Sequence, residues 1–193
     1  GQISKILNEK FKDAEKGTAV FVDYKLGEGQ LENPLMWQNF EAVATGELKS
    51  LDGWFISSTG GTQWKVTSYD DNQYVQYSAN GTKGACVGWM VTPAISVAAG
   101  DYLGFDVTVG YYNASCLSVL ISENFDGKNV DAASWTDVTS DFNIPTKPTS
   151  GYGTFASAGK VSLSAYAGKK VYVAFKYVGD GANKKTTTYQ IDN

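Results

Sequence analysis

Leu103, Phe105, Val107 and Val109 fall at every second position, with Tyr102, Gly104, Asp106 and Thr108 between them. On a helix those four apolar residues would land on opposite sides; on a strand they share one face. Leu117, Val119 and Ile121 repeat the pattern, as do Val171, Val173, Phe175 and Tyr177, with Lys176 pointing the other way. Several one-sided rows of this kind bury their apolar faces by stacking sheet on sheet, about 10 Å apart. The expected fold class is all-β: a two-sheet antiparallel β-sandwich.

Shorter strand signals fill the rest. Ile6–Phe11 and Ala19–Val22 are apolar runs, Trp64 and Val66 alternate with polar neighbours, and Tyr74–Tyr77 closes on an Asn80-Gly81 turn. Cys86–Val91 runs into Thr92-Pro93, where the missing N–H of proline ends pairing. Helix signals are scarce. Asn33-Pro34 reads either as the cap of a short helix through Val43 or as the start of an irregular crossover, and Val130–Trp135 as one turn. Residues 143–160 read as a long loop or an edge excursion. With 193 residues, no internal repeat and no shift in composition, the expectation is a single domain over 1–193, with 23–47 as an insertion or irregular crossover.

The chain has no His, and its 16 basic residues are all Lys. That excludes Ser-His-Asp and Cys-His catalysis, His-ligated metals and guanidinium clamps on phosphate. A net charge of −4 also opposes nucleic acid and anionic membranes as partners. Cys86 and Cys116 are either two buried thiols or a disulfide worth roughly 3–4 kcal/mol. No apolar run reaches the ~18 residues of a spanning helix, so no membrane insertion is expected. The start, Gly1-Gln2-Ile3, lacks an initiator Met and reads as that of a trimmed or mature fragment, without signal or lipid anchor.

Three blocks carry a resemblance. Gly88–Ile95 is followed by Leu103-Gly104-Phe105-Asp106; Val119–Gly127 leads to Trp135–Val138; Val161–Tyr177, with its Leu163-Ser164-Ala165-Tyr166 turn, runs on to Thr187–Asn193. In this order they resemble the choice-of-anchor J and cleaved-adhesin jelly-roll domains of secreted and surface proteins of Gram-negative anaerobes. The resemblance covers residues 48–193, with Leu7–Phe11 similar to the family's opening strand. It implies a galactose-binding-like jelly roll in an extracellular or outer-membrane setting, commonly within a lipoprotein. It implies no activity, because fold alone supplies none. Related jelly rolls hold a structural Ca²⁺ where the first and last strands meet. By position the resemblance makes Glu9 and Asp192 its side-chain ligands, with carbonyls near Gly17 or Asp180 as additions; such an oxygen set suits calcium.

The remaining candidates come from the residues themselves. Asp70-Asp71-Asn72 lacks the spacing of a calcium loop and reads as a hairpin turn. Tyr111-Tyr112-Asn113 sits at a strand-to-strand turn that cannot bury both rings, so it is the candidate glycan site: flat rings for sugar C–H faces beside a polar amide. Tyr24, Trp37 and Tyr152 also fall in loop-like segments, whereas Trp54, Trp64, Trp89 and Trp135 are expected in the core. Glycoside hydrolysis would need only two carboxylates, and Asp101 with Asp106, or Asp137 with Asp141, are the nominal pairs. No motif assembles catalytic roles around them. The expectation is a non-catalytic, monomeric binding module, with glycan as ligand first and a host or cell-surface protein second.

Overall fold

The computed structural model describes residues 34–193. In chain order the strands are β1 (Gly46–Glu47), β2 (Phe55–Thr59), β3 (Lys65–Tyr69), β4 (Asn72–Tyr77), β5 (Ala85–Val91) and β6 (Ile95–Ser96). They continue with β7 (Tyr102–Gly110), β8 (Leu117–Ser122), β9 (Thr136–Asp137), β10 (Ala156–Ser162), β11 (Lys170–Asp180) and β12 (Thr188–Asp192). The first sheet runs β1-β3-β4-β12-β7-β10 and the second β2-β5-β11-β8-β9, with β6 pairing β11. Every pairing is antiparallel. The result is the expected jelly-roll β-sandwich, and the described stretch Leu35–Asn193 forms one compact unit. Ile6–Phe11 and Ala19–Val22 lie outside the described residues.

The alternating rows set the sandwich. Phe105, Val107 and Val109 of the first sheet meet Val119, Ile121, Val171, Val173, Phe175 and Tyr177 of the second in one buried core. At its centre Trp64 meets Tyr77 edge-on and Tyr77 lies tilted against Tyr177, with ring centroids 5.0 and 4.5 Å apart. The Tyr77 ring crosses the gap and lies directly on Gly88 of the opposite sheet, where any Cβ would overlap it. The phenol of Tyr177, wholly buried, accepts from Ala79 N at 3.0 Å and donates to Thr187 O at 2.9 Å. Both partners belong to the approach to the first sheet, so one hydroxyl ties the two layers. Burial pushes the phenols of Tyr77 and Tyr189 up to about 12, and that of Tyr177 further up.

Several local expectations resolve. Asp70 and Asp71 take φ of 52° and 62°, the left-handed pair of a tight hairpin between β3 and β4. No helix opens at Pro34: Phe40 is buried with φ of 57°, which a right-handed helix cannot contain, so the crossover reading is the correct one. The described part of 23–47 is irregular until Gly46–Glu47 join β3. Residues 143–155 make an excursion, and β10 then becomes the edge strand beside β7. Trp64 and Trp89 are buried, while Trp54 and Trp135 are partly buried against the core clusters.

Cys86 and Cys116 are buried free thiols, both pushed up in pKa chiefly by desolvation. Cys86 pairs with Gly179 of β11, and Cys116 O accepts from Val178 N on the other side of the same strand. A full strand therefore separates them, about 10 Å across two inter-strand spacings. A disulfide needs Cα atoms within ~7 Å. Among the described residues, no helix is long and apolar enough to cross a membrane.

Two substitutions test this core. Tyr177→Phe strands Ala79 N and Thr187 O in the interior and is expected to cost about 1–3 kcal/mol in urea unfolding. Gly88→Ala forces the Tyr77 ring off the opposite sheet and should destabilise by about 1–3 kcal/mol without changing the unfolding slope.

Candidate functional site

The β7–β8 turn is built from backbone outwards. β7 ends at Gly110, and Tyr111 turns the chain with φ of 50°. Its N–H donates to Gly151 O and that of Tyr112 to Pro148 O, both at 2.9 Å, while Gly153 N donates to Val109 O at 2.9 Å. The residues leading into β10 are thus zipped to the end of β7, with Tyr152 bridged to Gly110. The Tyr152 ring lies across Gly110, a position no Cβ could share. Tyr152 meets Tyr111 edge-on at 5.5 Å and 85°, and the two side chains are 53% and 52% exposed. This is an aromatic pair held by both its backbones and open to solvent.

The other two residues of the expected triplet serve differently. Tyr112 points inward, half-buried against the core, with its hydroxyl 3.0 Å from Ser115 Oγ. Asn113 Oδ1 accepts from Thr186 N at 2.9 Å and Asn113 Nδ2 donates to Thr186 Oγ1 at 2.8 Å. The buried Thr187 Oγ1 accepts from Asn113 N and Ala114 N and donates to Ala114 O. Asn113 therefore clamps the turn that displays Tyr111. The partner of Tyr111 across the surface is Tyr152, which sequence adjacency did not signal; its place in a loop-like segment was the only hint.

The platform continues onto the outer face of the first sheet. Gln76, Gln190 and Thr108 sit side by side on β4, β12 and β7. Gln190 Nε2 donates to Gln76 Oε1 at 3.0 Å and to the Tyr74 hydroxyl at 3.2 Å. Tyr74 in turn packs against Phe155 at 5.1 Å. Trp37, Tyr69, Tyr102, Tyr111 and Tyr152 are the exposed large aromatics among the described residues. Tyr69 and Tyr102 are on outward positions of β3 and β7, and Lys160 Nζ lies 4.1 Å over the Tyr102 ring. Trp37 Nε1 donates to Asn193 Oδ1, whose Nδ2 donates to Asp106 Oδ2. All five therefore border the same sheet. Tyr24 lies outside the described residues.

The carboxylates have structural partners. Asp101 accepts from Ala98 N, Asp106 from Asn193, and Asp137 from Thr139 N; Asp141 is exposed in a short 3-10 turn. Asp192 is buried, accepting from Asn72 Nδ2 at 3.1 Å and Asn193 N at 2.9 Å. Desolvation, with Glu41 and Asp106 nearby, pushes its carboxyl above the usual range. Glu9 and Gly17 lie outside the described residues, and among those described no three acidic or thiol side chains gather as a metal cage.

With this geometry in hand, known proteins supply context. The solved K2 cleaved adhesin domain of Lys-gingipain (Kgp) is similar at a TM-score of 0.58 and 17% identity, covering 81% of this chain and 94% of that one. The K1 domain of the same protein from Porphyromonas gingivalis W83 matches at 0.47 and 18%, covering 81% and 94%. The CBM22-1 xylan-binding domain of Paenibacillus barcinonensis Xyn10C matches at 0.36 and 15%, covering 82% and 90%. Only the first overlays well enough to bear on this chain, and what it bears on is the fold. No curated protein matches the sequence. A family model described as a domain of unknown function, DUF5017, matches residues 96–192.

Asp192 sets a pH dependence with a definite sign. Its native carboxyl binds a proton more tightly than the unfolded one, so stability falls as pH rises through the ordinary carboxylate range to the raised value. Asp192→Asn should flatten that part of a urea-unfolding pH profile; an unchanged profile would remove Asp192 as its source.

Proposed function

The chain belongs to the DUF5017 family, whose model spans half of it, and we propose that it is a non-catalytic binding module of a secreted or surface-anchored protein, with glycan as its ligand. The observation that carries this is the Tyr111–Tyr152 pair, two half-exposed rings fixed on rigid backbone at the end of a sheet. Aromatic faces so mounted stack on the C–H faces of a sugar ring with little ordering cost, since the rings are already in place. The kinship with choice-of-anchor J domains, the extracellular setting and the monomeric state belong to the same proposal. The charge of −4 and the lack of Arg favour neutral over sulfated or phosphorylated ligands. A structural Ca²⁺ held by Glu9 and Asp192 is proposed as a brace; the buried Asp192 charge beside Glu41 and Asp106 is one a divalent cation would relieve.

Retention on immobilised glycans and mucins tests the reading. Tyr111→Ala is expected to lower affinity about tenfold or more, equivalent to roughly 1.4 kcal/mol. Tyr112→Ala should act chiefly on stability. Absence of retention on every glycan would move the protein to a protein-adhesion or spacer role. For calcium, millimolar Ca²⁺ should raise Tm and chelator lower it; a Tm indifferent to both would remove the brace.

A further inference from the structure

The outer face of the second sheet is divided. Its covered half carries Trp89, Val91, Leu120 and Ala174, sealed by Phe125 and Trp135 from the β8–β9 excursion. The cover stops at Lys176, whose ammonium lies 4.6 Å over the Trp89 ring. Beyond it Val178 projects from β11 with 48% of its surface exposed, the only large aliphatic on a strand in that state among the described residues. Around Val178 opens a cavity of about 510 Å³, bounded by Leu117, Ser118, Asp137, Asp180 and Lys185.

The polar groups of this cavity are not equivalent. Asp180 is turned to its own loop: it accepts from Ala182 N, Asn183 N and Asn183 Nδ2, and the Asn183 bonds hold its carboxyl below the usual range. Asp137 uses Oδ1 to cap Thr139 N at 2.9 Å, and its Oδ2 has no hydrogen-bond partner among the described residues. The Lys185 ammonium likewise makes no ion pair or hydrogen bond among them. One cavity thus joins an open acceptor, an open donor and an apolar seat. An acetamido group presents their complements: an N–H, a carbonyl and a methyl.

We propose that this cavity is a second binding site, for the acetamido group of an N-acetylated hexosamine, with Asp137 taking the N–H, Lys185 the carbonyl and Val178 the methyl. The inference rests on the glycan reading above but shares no residue with the Tyr111–Tyr152 platform. The Ser118 hydroxyl in the lining is available to the sugar ring, whereas that of Thr139 is spent on Val119 N and O; a hydroxylated ring rather than an acetylated peptide is the occupant this hydroxyl favours. A sugar without the acetamide leaves the methyl seat of Val178 open to water.

The test titrates the full ¹⁵N-labelled chain with N,N′-diacetylchitobiose, with cellobiose, and with N-acetylglycine methylamide as an acetamide lacking a sugar. Saturable shifts at the amides of Ser118, Asp137, Val178 and Lys185 are expected with diacetylchitobiose. Asp137→Asn keeps the Thr139 cap but puts an amide donor where the open acceptor stood. It and Lys185→Ala should each weaken binding about tenfold, and Tyr111→Ala should leave these shifts unchanged. Equal shifts with cellobiose, shifts with the methylamide alone, no shifts at all, or insensitivity to Asp137→Asn would overturn the site. Retention dependent on Tyr111 without shifts at Val178 removes this cavity and keeps the platform; the converse pattern removes the platform.

Discussion

A hydroxyl in the middle of an apolar layer must be satisfied there, and the phenol of Tyr177 meets that requirement by reaching across it. Its ring lies tilted against Tyr77 within the core, and its oxygen bonds Ala79 N after β4 and Thr187 O before β12. An unpaired polar group at this depth would cost about as much as a buried hydrogen bond lost, so the bonds fix how the sheets register. The constraint is then passed on. Thr187, held by its carbonyl, uses its own hydroxyl to bind Asn113 N and Ala114 N, and Asn113 binds back to Thr186. The turn that displays Tyr111 is therefore anchored, bond by bond, to the centre of the molecule.

The two outer faces follow different logics. On one half of the second sheet the outward residues are apolar, and a long excursion from β8 to β9 returns to cover them with Phe125 and Trp135. On the first sheet they are amides, hydroxyls and carboxylates, bonded to one another across strands, as Gln190 is to Gln76 and Tyr74. Rings there lie over a polar ladder instead of a second core. That difference leaves one face with exposed aromatics and the other with a partly filled surface.

The period-2 rows at 103–109, 117–121 and 171–177 made the sandwich legible, because alternation alone decides which residues face inward. The Asp70-Asp71 turn was legible for the same local reason. What alternation could not give was the fate of the outward residues. Leu120 and Ala174 occupy positions it assigns to solvent, and only the long-range return of residues 123–135 buries them. Likewise Tyr111 and Tyr112 are neighbours in sequence but not in use: a left-handed Tyr111 sends the two side chains apart, and the partner comes from 152 through edge pairing. Contacts set by strand order are invisible to local spacing. At Pro34 local spacing offered two paths, and the buried, left-handed Phe40 decided for the irregular one.

Placing Cys86 and Cys116 on either side of β11 has a further consequence. The thiols share a core yet cannot join, and desolvation keeps them protonated, the form least able to attack an oxidant. The described part of the fold therefore has the same covalent connectivity in a reducing cytosol as in an oxidising exterior. Its assembly calls on neither a thiol oxidase nor a disulfide isomerase, and is uncoupled from the redox chemistry of whichever compartment holds it.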